Sequence, residues 1–140
     1  MNESQFTRNV NKRLPKNVKA WKIIDQYEGG VPDCFYRLKT ATTPSPLWVE
    51  FKYLKALPKR ETTLIKPNLS ELQIQWLTEA SEACELTAVV IGYGSKGVVY
   101  TLSEALNGIE AGDFIKRMET YQQLADHITT TLGERYVALR

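Results

Sequence analysis

Two acidic residues and one lysine lie where the side chains of neighbouring strands could meet. Asp33 follows Gly-Val-Pro at the start of one predicted strand, and Glu50 and Lys52 lie two residues apart in the next, within Trp-Val-Glu-Phe-Lys. Alternate side chains of a strand point to the same face, so Glu50 and Lys52 share one side while Phe51 takes the other. If the two strands pair as a hairpin, Asp33 lies beside Glu50. Adjacent carboxylates repel each other unless a cation neutralises them, and such oxygen ligands suit Mg²⁺ or Mn²⁺.

Such a site has the parts needed to hydrolyse a phosphodiester bond. Carboxylate-bound metal ions activate water, neutralise the phosphoryl oxygens and help the leaving oxygen to depart. Lys52 could hold or deprotonate the water, or stabilise the pentacovalent charge, and the backbone carbonyl of Phe51 could be a further metal ligand. The chain has one histidine, His127, which argues against a histidine base; we expect it on the surface of a late helix, without a task.

Each of these residues also has a purely structural interpretation. Asp33 could be a turn aspartate, and Glu50 and Lys52 could be a pair on a half-exposed strand. Taken singly, these interpretations are the simpler ones. Together, and within a strand that Trp48 and Phe51 mark as otherwise buried, the charged residues need a reason, because burying an unpaired charge is costly.

The elements that must position these residues follow from hydrophobic periodicity. A stripe of Phe6, Val10 and Leu14 predicts a first helix over residues 2–16, capped by Asn2 and ended by Pro15. The remaining predicted elements are strands at 20–27, 34–38 and 47–53, a helix at 70–83, strands at 87–93 and 98–101, and helical pieces near 103–106, 114 and 121–132. This α-β-β-β-α-β order, with extra C-terminal helices, predicts a mixed α/β (α+β) fold with a central mixed sheet flanked by helices.

Over about residues 3–101 the sequence resembles the PD-(D/E)XK nuclease superfamily. The resemblance rests on Gly-Val-Pro-Asp, on Trp-Val-Glu-Phe-Lys after a spacer, on a basic loop, and on Leu-Gln-Ile-Gln-Trp-Leu at 72–77. Within the superfamily the pattern is most similar to small virus-type replication-repair (VRR-NUC) nucleases and phage endonucleases; archaeal Holliday-junction resolvases are more distant. The resemblance implies a restriction-endonuclease-like core and a Mg²⁺- or Mn²⁺-dependent DNA endonuclease. It implies that Asp33 and Glu50 bind metal and that Lys52 is the catalytic lysine.

The resemblance also implies site roles for Glu3 and Gln73. Glu3 lies on the first helix, where this group often places an acid that completes the metal site, but it could equally be a solvated first-turn acid that the helix dipole favours. Gln73 matches a helix glutamine that points at the site, and it also completes a capping box with Ser70. A site role is preferred for Gln73, because Gln75 could not face the same direction.

Charge is divided unevenly along the chain, which suits a polyanionic partner but is equally compatible with a solvated surface. Residues 1–66 carry 13 Lys or Arg and 6 Asp or Glu, whereas residues 67–140 carry 5 and 10, although the net charge is only +2. The loop at 54–68 carries four basic residues that could each neutralise a DNA phosphate, unless it is merely a solvated mobile loop. The expected DNA-contacting residues are Lys55, Lys59, Arg60 and Lys66, extended by Arg8, Lys12 and Arg13.

The sequence leads to one preferred function and two alternatives. We expect a single domain over residues 1–140, with a core at about 3–101 and a helical extension at about 103–140 that packs on the core or on a second copy. We expect a homodimer that acts on branched or double-stranded DNA in phage functions or in recombination and repair. We expect it in the cytoplasm, where a phage in a bacterial host could encode it, and not at a membrane. One alternative is a non-catalytic DNA-binding module that keeps the fold; the other is an unrelated α+β protein whose acids are structural.

Overall fold

The computed structural model of the chain describes residues 1–24, 29–39 and 46–139. Its elements in chain order are α1 (Glu3–Asn11), β1 (Val18–Lys22), β2 (Cys34–Leu38), β3 (Leu47–Tyr53), β4 (Leu64–Ile65), α2 (Glu71–Glu82), β5 (Leu86–Tyr93), β6 (Lys96–Tyr100), α3 (Leu102–Asn107), β7 (Ile109–Glu110), α4 (Ala111–Arg117), β8 (Glu119–Thr120) and α5 (Tyr121–Leu139). The order α-β-β-β-α-β therefore holds for the longer elements. None of the helices in these ranges is long and apolar enough to cross a membrane.

A six-stranded mixed sheet runs through the centre in the order β1-β2-β3-β5-β6-β8. The first three strands form the expected antiparallel meander. Helix α2 then carries the chain over to β5, which runs parallel to β3, and the remaining pairings are antiparallel. The sheet is thus mixed, as the sequence predicts, and its parallel pair lies at β3, the strand that carries Glu50 and Lys52.

Two apolar clusters lie on opposite faces of the sheet, because side chains alternate along each strand. One cluster joins α1 and α5 to the face that carries Val49 and Phe51; its helix residues include Phe6, Val10, Leu124, Ile128 and Leu132. The other joins α2, α3 and α4 to the opposite face and includes Leu77, Val89, Ile91, Ala105 and Phe114. The C-terminal extension therefore packs on the core, which is one of the two expected placements.

Helix α1 is shorter than the sequence predicts. It ends at Asn11 rather than near Lys16, and Arg13 and Leu14 donate backbone hydrogen bonds only three residues back. The physical reason is Pro15, which disfavours helical backbone at the residue before it and has no N–H of its own. Strand β1 correspondingly begins at Val18, two residues early. The last residues of the predicted strand at 20–27 lie outside the described residues, as does most of the segment between the predicted strands at 34–38 and 47–53.

The basic loop at 54–68 is less free than the sequence suggests. It contains the two-residue strand β4, which pairs with β7 from the C-terminal part. Further backbone hydrogen bonds run from Ala111 N to Thr63 O and from Gly112 N to Glu61 O, both at 2.9 Å. The buried hydroxyl of Tyr100 donates to Ile65 O at 2.9 Å. The C-terminal elements therefore hold the loop that directly follows the strand of Glu50 and Lys52.

Candidate active site

Strand β3 separates apolar from charged side chains by alternation. Val49 and Phe51 are fully buried against α1 and α5, whereas Glu50 and Lys52 face the α2 side. Glu50 is only 2% exposed, which is rare for a carboxylate without a cationic partner. Lys52 is half-buried. The structure thus brings these two predicted site residues to one face, with the acid at the deeper position.

Asp33 joins this face from the start of β2. Pairing of β2 with β3 ends at Cys34 and Val49, and beyond that point the Asp33 carboxylate accepts a hydrogen bond from Phe51 N–H at 3.0 Å. The carbonyl of Asp33 accepts from Ile23 N–H at 2.7 Å, so its backbone is held as well. The N–H and C=O of one strand residue point to the same edge, so the Phe51 carbonyl oxygen is also directed to the side on which Asp33 lies.

Asp33 and Glu50 interact electrostatically, because Asp33 is bonded to the backbone of Phe51, the residue after Glu50. Burial raises its pKa well above the ordinary value, and hydrogen bonding with Asp33 and the charge of Asp33 raise it further; Lys52 opposes the shift. Two carboxylates in contact cannot both ionise cheaply unless a positive charge lies between them. The negative charge of the pair is therefore reduced either by a bound proton or by a bound cation.

Gln73 connects helix α2 to the buried acid. Its Nε2 donates to Glu50 Oε2 at 3.0 Å, while its Oε1 accepts from the backbone N–H of Ser70 at 2.9 Å. The Ser70 hydroxyl accepts in turn from Gln73 N–H, which completes a capping box. The capping role and the site role, which the sequence presents as alternatives, thus coexist in one side chain. Gln75 instead donates to Glu79 on the outer face of the helix.

Glu3 lies within electrostatic reach of the same group. Burial raises its pKa, the charge of Asp33 raises it further, and Lys52 and Lys22 lower it. The capping box of Asn2 and Gln5 holds the start of α1, so the first turn is fixed at this position. Lys22 is a neighbour that the sequence interpretation missed; the signal was its place at the end of the strand next to Asp33.

The donor set fits a hard divalent cation with a partly aqueous coordination shell. Within the described ranges no three His, Cys, Asp or Glu side chains are close enough to hold a metal ion by themselves. The available protein donors are the carboxylates of Asp33 and Glu50 and the carbonyl of Phe51. Mg²⁺ is commonly held by one or two carboxylates and keeps several water ligands. Glu3 stands further out, where it could accept a hydrogen bond from such a water.

The predicted DNA-contacting residues do not all have free side chains. Six of them have exposed side chains: on the basic loop these are Lys55, Lys59, Arg60 and Lys66, and on α1 they are Arg8 and Lys12. Arg13 is engaged internally: it donates to Asn9 O at 2.6 Å, and its guanidinium lies 4.8 Å from the ring centre of Tyr121 on α5. His127 lies on α5, as expected, and contacts Glu119 at 3.1 Å on the surface.

Comparisons with known proteins give the fold. No family model matches the sequence, and no curated protein matches it either. A solved structure with a similar fold is Hjc, a Holliday junction resolvase from the archaeal hyperthermophile Archaeoglobus fulgidus. The TM-score is 0.52 at 13% sequence identity, and the match covers 89% of this chain and 96% of that chain. The predicted fold class is confirmed: a mixed α/β structure with a curled central sheet flanked by helices, as in the restriction-endonuclease-like fold.

Proposed function

We propose that the chain is a metal-dependent DNA endonuclease of the PD-(D/E)XK superfamily, which hydrolyses phosphodiester bonds with Mg²⁺ or Mn²⁺. One observation carries the proposal: the buried Glu50 carboxylate interacts with Asp33, which is bonded to the backbone of the next residue, and Lys52 is on the same face of β3. A protein that needed these acids only for its structure would bury a repulsive pair at a cost in stability. A nuclease needs such a pair to hold a cation beside the scissile phosphate. The fold shared with Hjc agrees with this activity.

Each residue has a physical role in the proposed reaction. Asp33 and Glu50 would hold the cation, together with the carbonyl oxygen of Phe51. When bound there, a divalent cation supplies a nucleophilic water at neutral pH and neutralises charge on the phosphoryl oxygens. The ammonium of Lys52 orients the water or stabilises the negative charge that develops on the phosphate. Gln73 orients the Glu50 carboxylate through its amide hydrogen bond.

The DNA would lie across the α2 side of the sheet and the basic loop. The exposed cations of the loop can neutralise backbone phosphates without reading sequence. Hjc is named as a Holliday junction resolvase, so a four-way junction belongs among the substrates to be tested. Cutting both strands at a symmetric junction requires two active sites, and we therefore propose a homodimer as the active form.

Cleavage assays with matched substitutions test this function. Supercoiled plasmid, linear duplex and four-way junction are incubated with Mg²⁺, Mn²⁺ or EDTA. We expect metal-dependent cutting that falls at least about 100-fold in Asp33→Asn and Glu50→Gln, and by about 100- to 1000-fold in Lys52→Ala, which should still bind DNA. Asp113→Asn, Glu110→Gln and Lys116→Ala change exposed residues of the same types elsewhere and should cut normally.

The alternatives predict different results. A non-catalytic DNA-binding module would bind all substrates in EDTA but cut none of them in either metal. A protein with purely structural acids would neither bind nor cut. Cutting that survives in both Asp33→Asn and Glu50→Gln would place the active site elsewhere.

A further inference from the structure

An open basic and aromatic surface lies beside the proposed site, on strands β1 and β2. Its members are Lys19, Trp21, Phe35 and Arg37, which we call the β1–β2 patch. Trp21 is 61% exposed, although tryptophan is usually one of the most buried side chains on average. Lys19 is exposed, and Phe35 and Arg37 are half-buried. None of these residues is predicted from the sequence to contact DNA.

The strand register places the four side chains in two adjacent rows. Trp21 pairs with Phe35, and Lys19 pairs with Arg37, in the antiparallel ladder of β1 and β2. Directly opposite residues share a face, and alternation puts both rows on one side of the sheet. Val18 and Ala20, between them in sequence, pack instead in the cluster under α1 and α5.

The aromatic row continues from the patch to the helix of the proposed site. Phe35 pairs with Trp48 of β3, and their ring centres are 4.9 Å apart in an edge arrangement. Trp48 contacts Trp76 of α2, with ring centres 4.7 Å apart. Trp48 and Glu50 are alternate residues of β3, so the patch and the acids lie on one face. Strand spacing and rise put the Cα atoms of Trp21 and Glu50 on the order of 12 Å apart.

The charge of the patch favours the binding of an anion. Like charges directly opposite each other on paired strands are destabilising, and Lys19 and Arg37 stand in that relation. Among the side chains of residues 1–24, 29–39 and 46–134, the ion pairs are Arg117 with Glu104 and His127 with Glu119, so neither cation of the patch is neutralised there. A phosphate of a bound strand would neutralise both.

We propose that the β1–β2 patch binds an unpaired nucleotide of the DNA substrate, with the base on Trp21 and the flanking phosphates at Lys19 and Arg37. Stacking of a base on an exposed aromatic ring, beside cations that follow the backbone, is how proteins hold single strands. Paired bases inside a duplex offer no free face to such a ring. The inference deepens the proposed function: it makes the substrate a DNA with a single-stranded segment next to the cleavage point.

Binding measured in EDTA tests the patch apart from catalysis. Labelled oligo(dT), a duplex with an unpaired tail and the same duplex with blunt ends are titrated against wild type, Asp33→Asn, Trp21→Ala and Trp21→Phe. We expect Trp21→Ala to lose about 5- to 100-fold in affinity for the first two DNAs, and little for the blunt duplex. Trp21→Phe should recover part of the loss. Tryptophan emission should fall on binding of oligo(dT) in wild type but much less in Trp21→Ala.

Substitutions at exposed positions of α4 are the controls for the patch variants. Ile115→Ala changes another exposed apolar side chain, 48% exposed on α4, and should bind as wild type does. The double variant Lys19→Ala/Arg37→Ala should lose affinity for tailed DNA, whereas Lys116→Ala should not. Equal affinity of wild type and Trp21→Ala for tailed DNA would overturn the inference. So would a sedimentation result in which Trp21→Ala only dissociates a dimer, since the patch would then bind a second copy.

The two proposals can fail separately. If Asp33→Asn cuts like wild type but Trp21→Ala has a lower affinity for tailed DNA, the patch is supported and the proposed active site is contradicted. If Asp33→Asn is inactive and Trp21→Ala binds tailed DNA as tightly as wild type does, the active site is supported and the patch is contradicted.

Discussion

Gln73 shows how one side chain can serve a helix end and a polar site together. Its carbonyl oxygen caps α2 by accepting from Ser70 N–H, and its amide donates to Glu50. The sequence shows the capping box through the spacing of Ser70 and Gln73, but the second bond depends on how α2 lies across β3. That placement is a tertiary property, which spacing along the chain does not contain.

A pair of substitutions separates the two roles of Gln73. Ser70→Ala removes the hydroxyl that caps Gln73 N–H and leaves the Gln73 side chain in place, so we expect a loss of about 1 kcal/mol in the free energy of unfolding with normal cutting. Gln73→Ala should lose a similar amount and also cut at least about 10-fold more slowly, because Glu50 loses its donor. Urea unfolding and cleavage rates measure the two effects. Equal cutting by both variants would make Gln73 a capping residue only.

Glu50 should cost the protein stability when no cation is bound. Its folded pKa lies above the unfolded value of 4.5, so the folded state binds more protons, and stability falls as pH rises above 4.5. Glu50→Gln removes the ionisation. In EDTA at pH 7 to 8 we expect it to be more stable than wild type by about 1 kcal/mol or more, equivalent to roughly 3 °C in Tm.

Two comparisons check the stability of Glu50→Gln. Its advantage should shrink as pH falls through 4.5, because wild-type Glu50 then becomes protonated in the unfolded state as well as in the folded one. Mn²⁺ should raise the Tm of wild type but not that of Glu50→Gln, since ligand binding stabilises only a competent site. Glu110→Gln, at an exposed position, should show neither effect. If wild type is more stable than Glu50→Gln in EDTA, the prediction is wrong. Groups of the protein itself would then compensate the negative charge of the Glu50 carboxylate.

The longer elements were predictable from the sequence, whereas the short strands that join the basic loop to the C-terminal part were not. The sequence predicts α2 and β3 closely, because a capping box and a run of apolar and branched residues define their ends. It misses β4, β7 and β8, since two-residue strands are too short to show periodicity. It also extends α1 too far, because Leu14 continues the apolar stripe without being helical and packs on the core from the turn.

The hydroxyl of Tyr100 should contribute measurably to stability by holding the basic loop on the C-terminal part. It donates to Ile65 O inside the second apolar cluster, and Tyr100→Phe leaves that carbonyl without this donor. We expect a loss of about 1 to 2 kcal/mol in the free energy of unfolding, measured in urea. Tyr93→Phe, at a half-buried position of the neighbouring strand β5, is the matched control and should change stability little. Equal effects of the two variants would contradict the role of the hydroxyl in holding the loop.

For the molecule as a whole, the uneven charge along the chain becomes a spatial arrangement. The loop at 54–68, which carries four exposed cations, is hydrogen-bonded to the C-terminal part of the chain, and the β1–β2 patch lies beside the proposed site. The fold class was predictable from hydrophobic periodicity and is confirmed. The roles of Asp33, Glu50, Lys52, Gln73 and Glu3 remain predictions, although the structure brings these side chains to one region. The patch was not predicted, since it depends on the register between β1 and β2.

The salt dependence of DNA binding tests the role of the loop. Affinity for a blunt duplex should fall steeply with salt, because each neutralised phosphate releases counterions. In Lys55→Ala/Lys59→Ala the slope of log affinity against log salt should be smaller by about 1.8, which is about 0.9 for each lost contact. Lys96→Ala, an exposed lysine on β6, should leave the slope unchanged. An unchanged slope in the double variant would remove these lysines from the DNA surface.

The position of a bound Mn²⁺ ion would decide whether Asp33 and Glu50 form a metal site. Crystals grown with Mn²⁺ and measured for anomalous scattering should show a peak between the carboxylates of Asp33 and Glu50, at about 2.0 to 2.2 Å from an oxygen of each. The peak should be absent in Glu50→Gln crystals. A wild-type crystal saturated with Mn²⁺ that shows no peak between these two carboxylates, or that shows them turned to opposite sides of the sheet, would contradict the account.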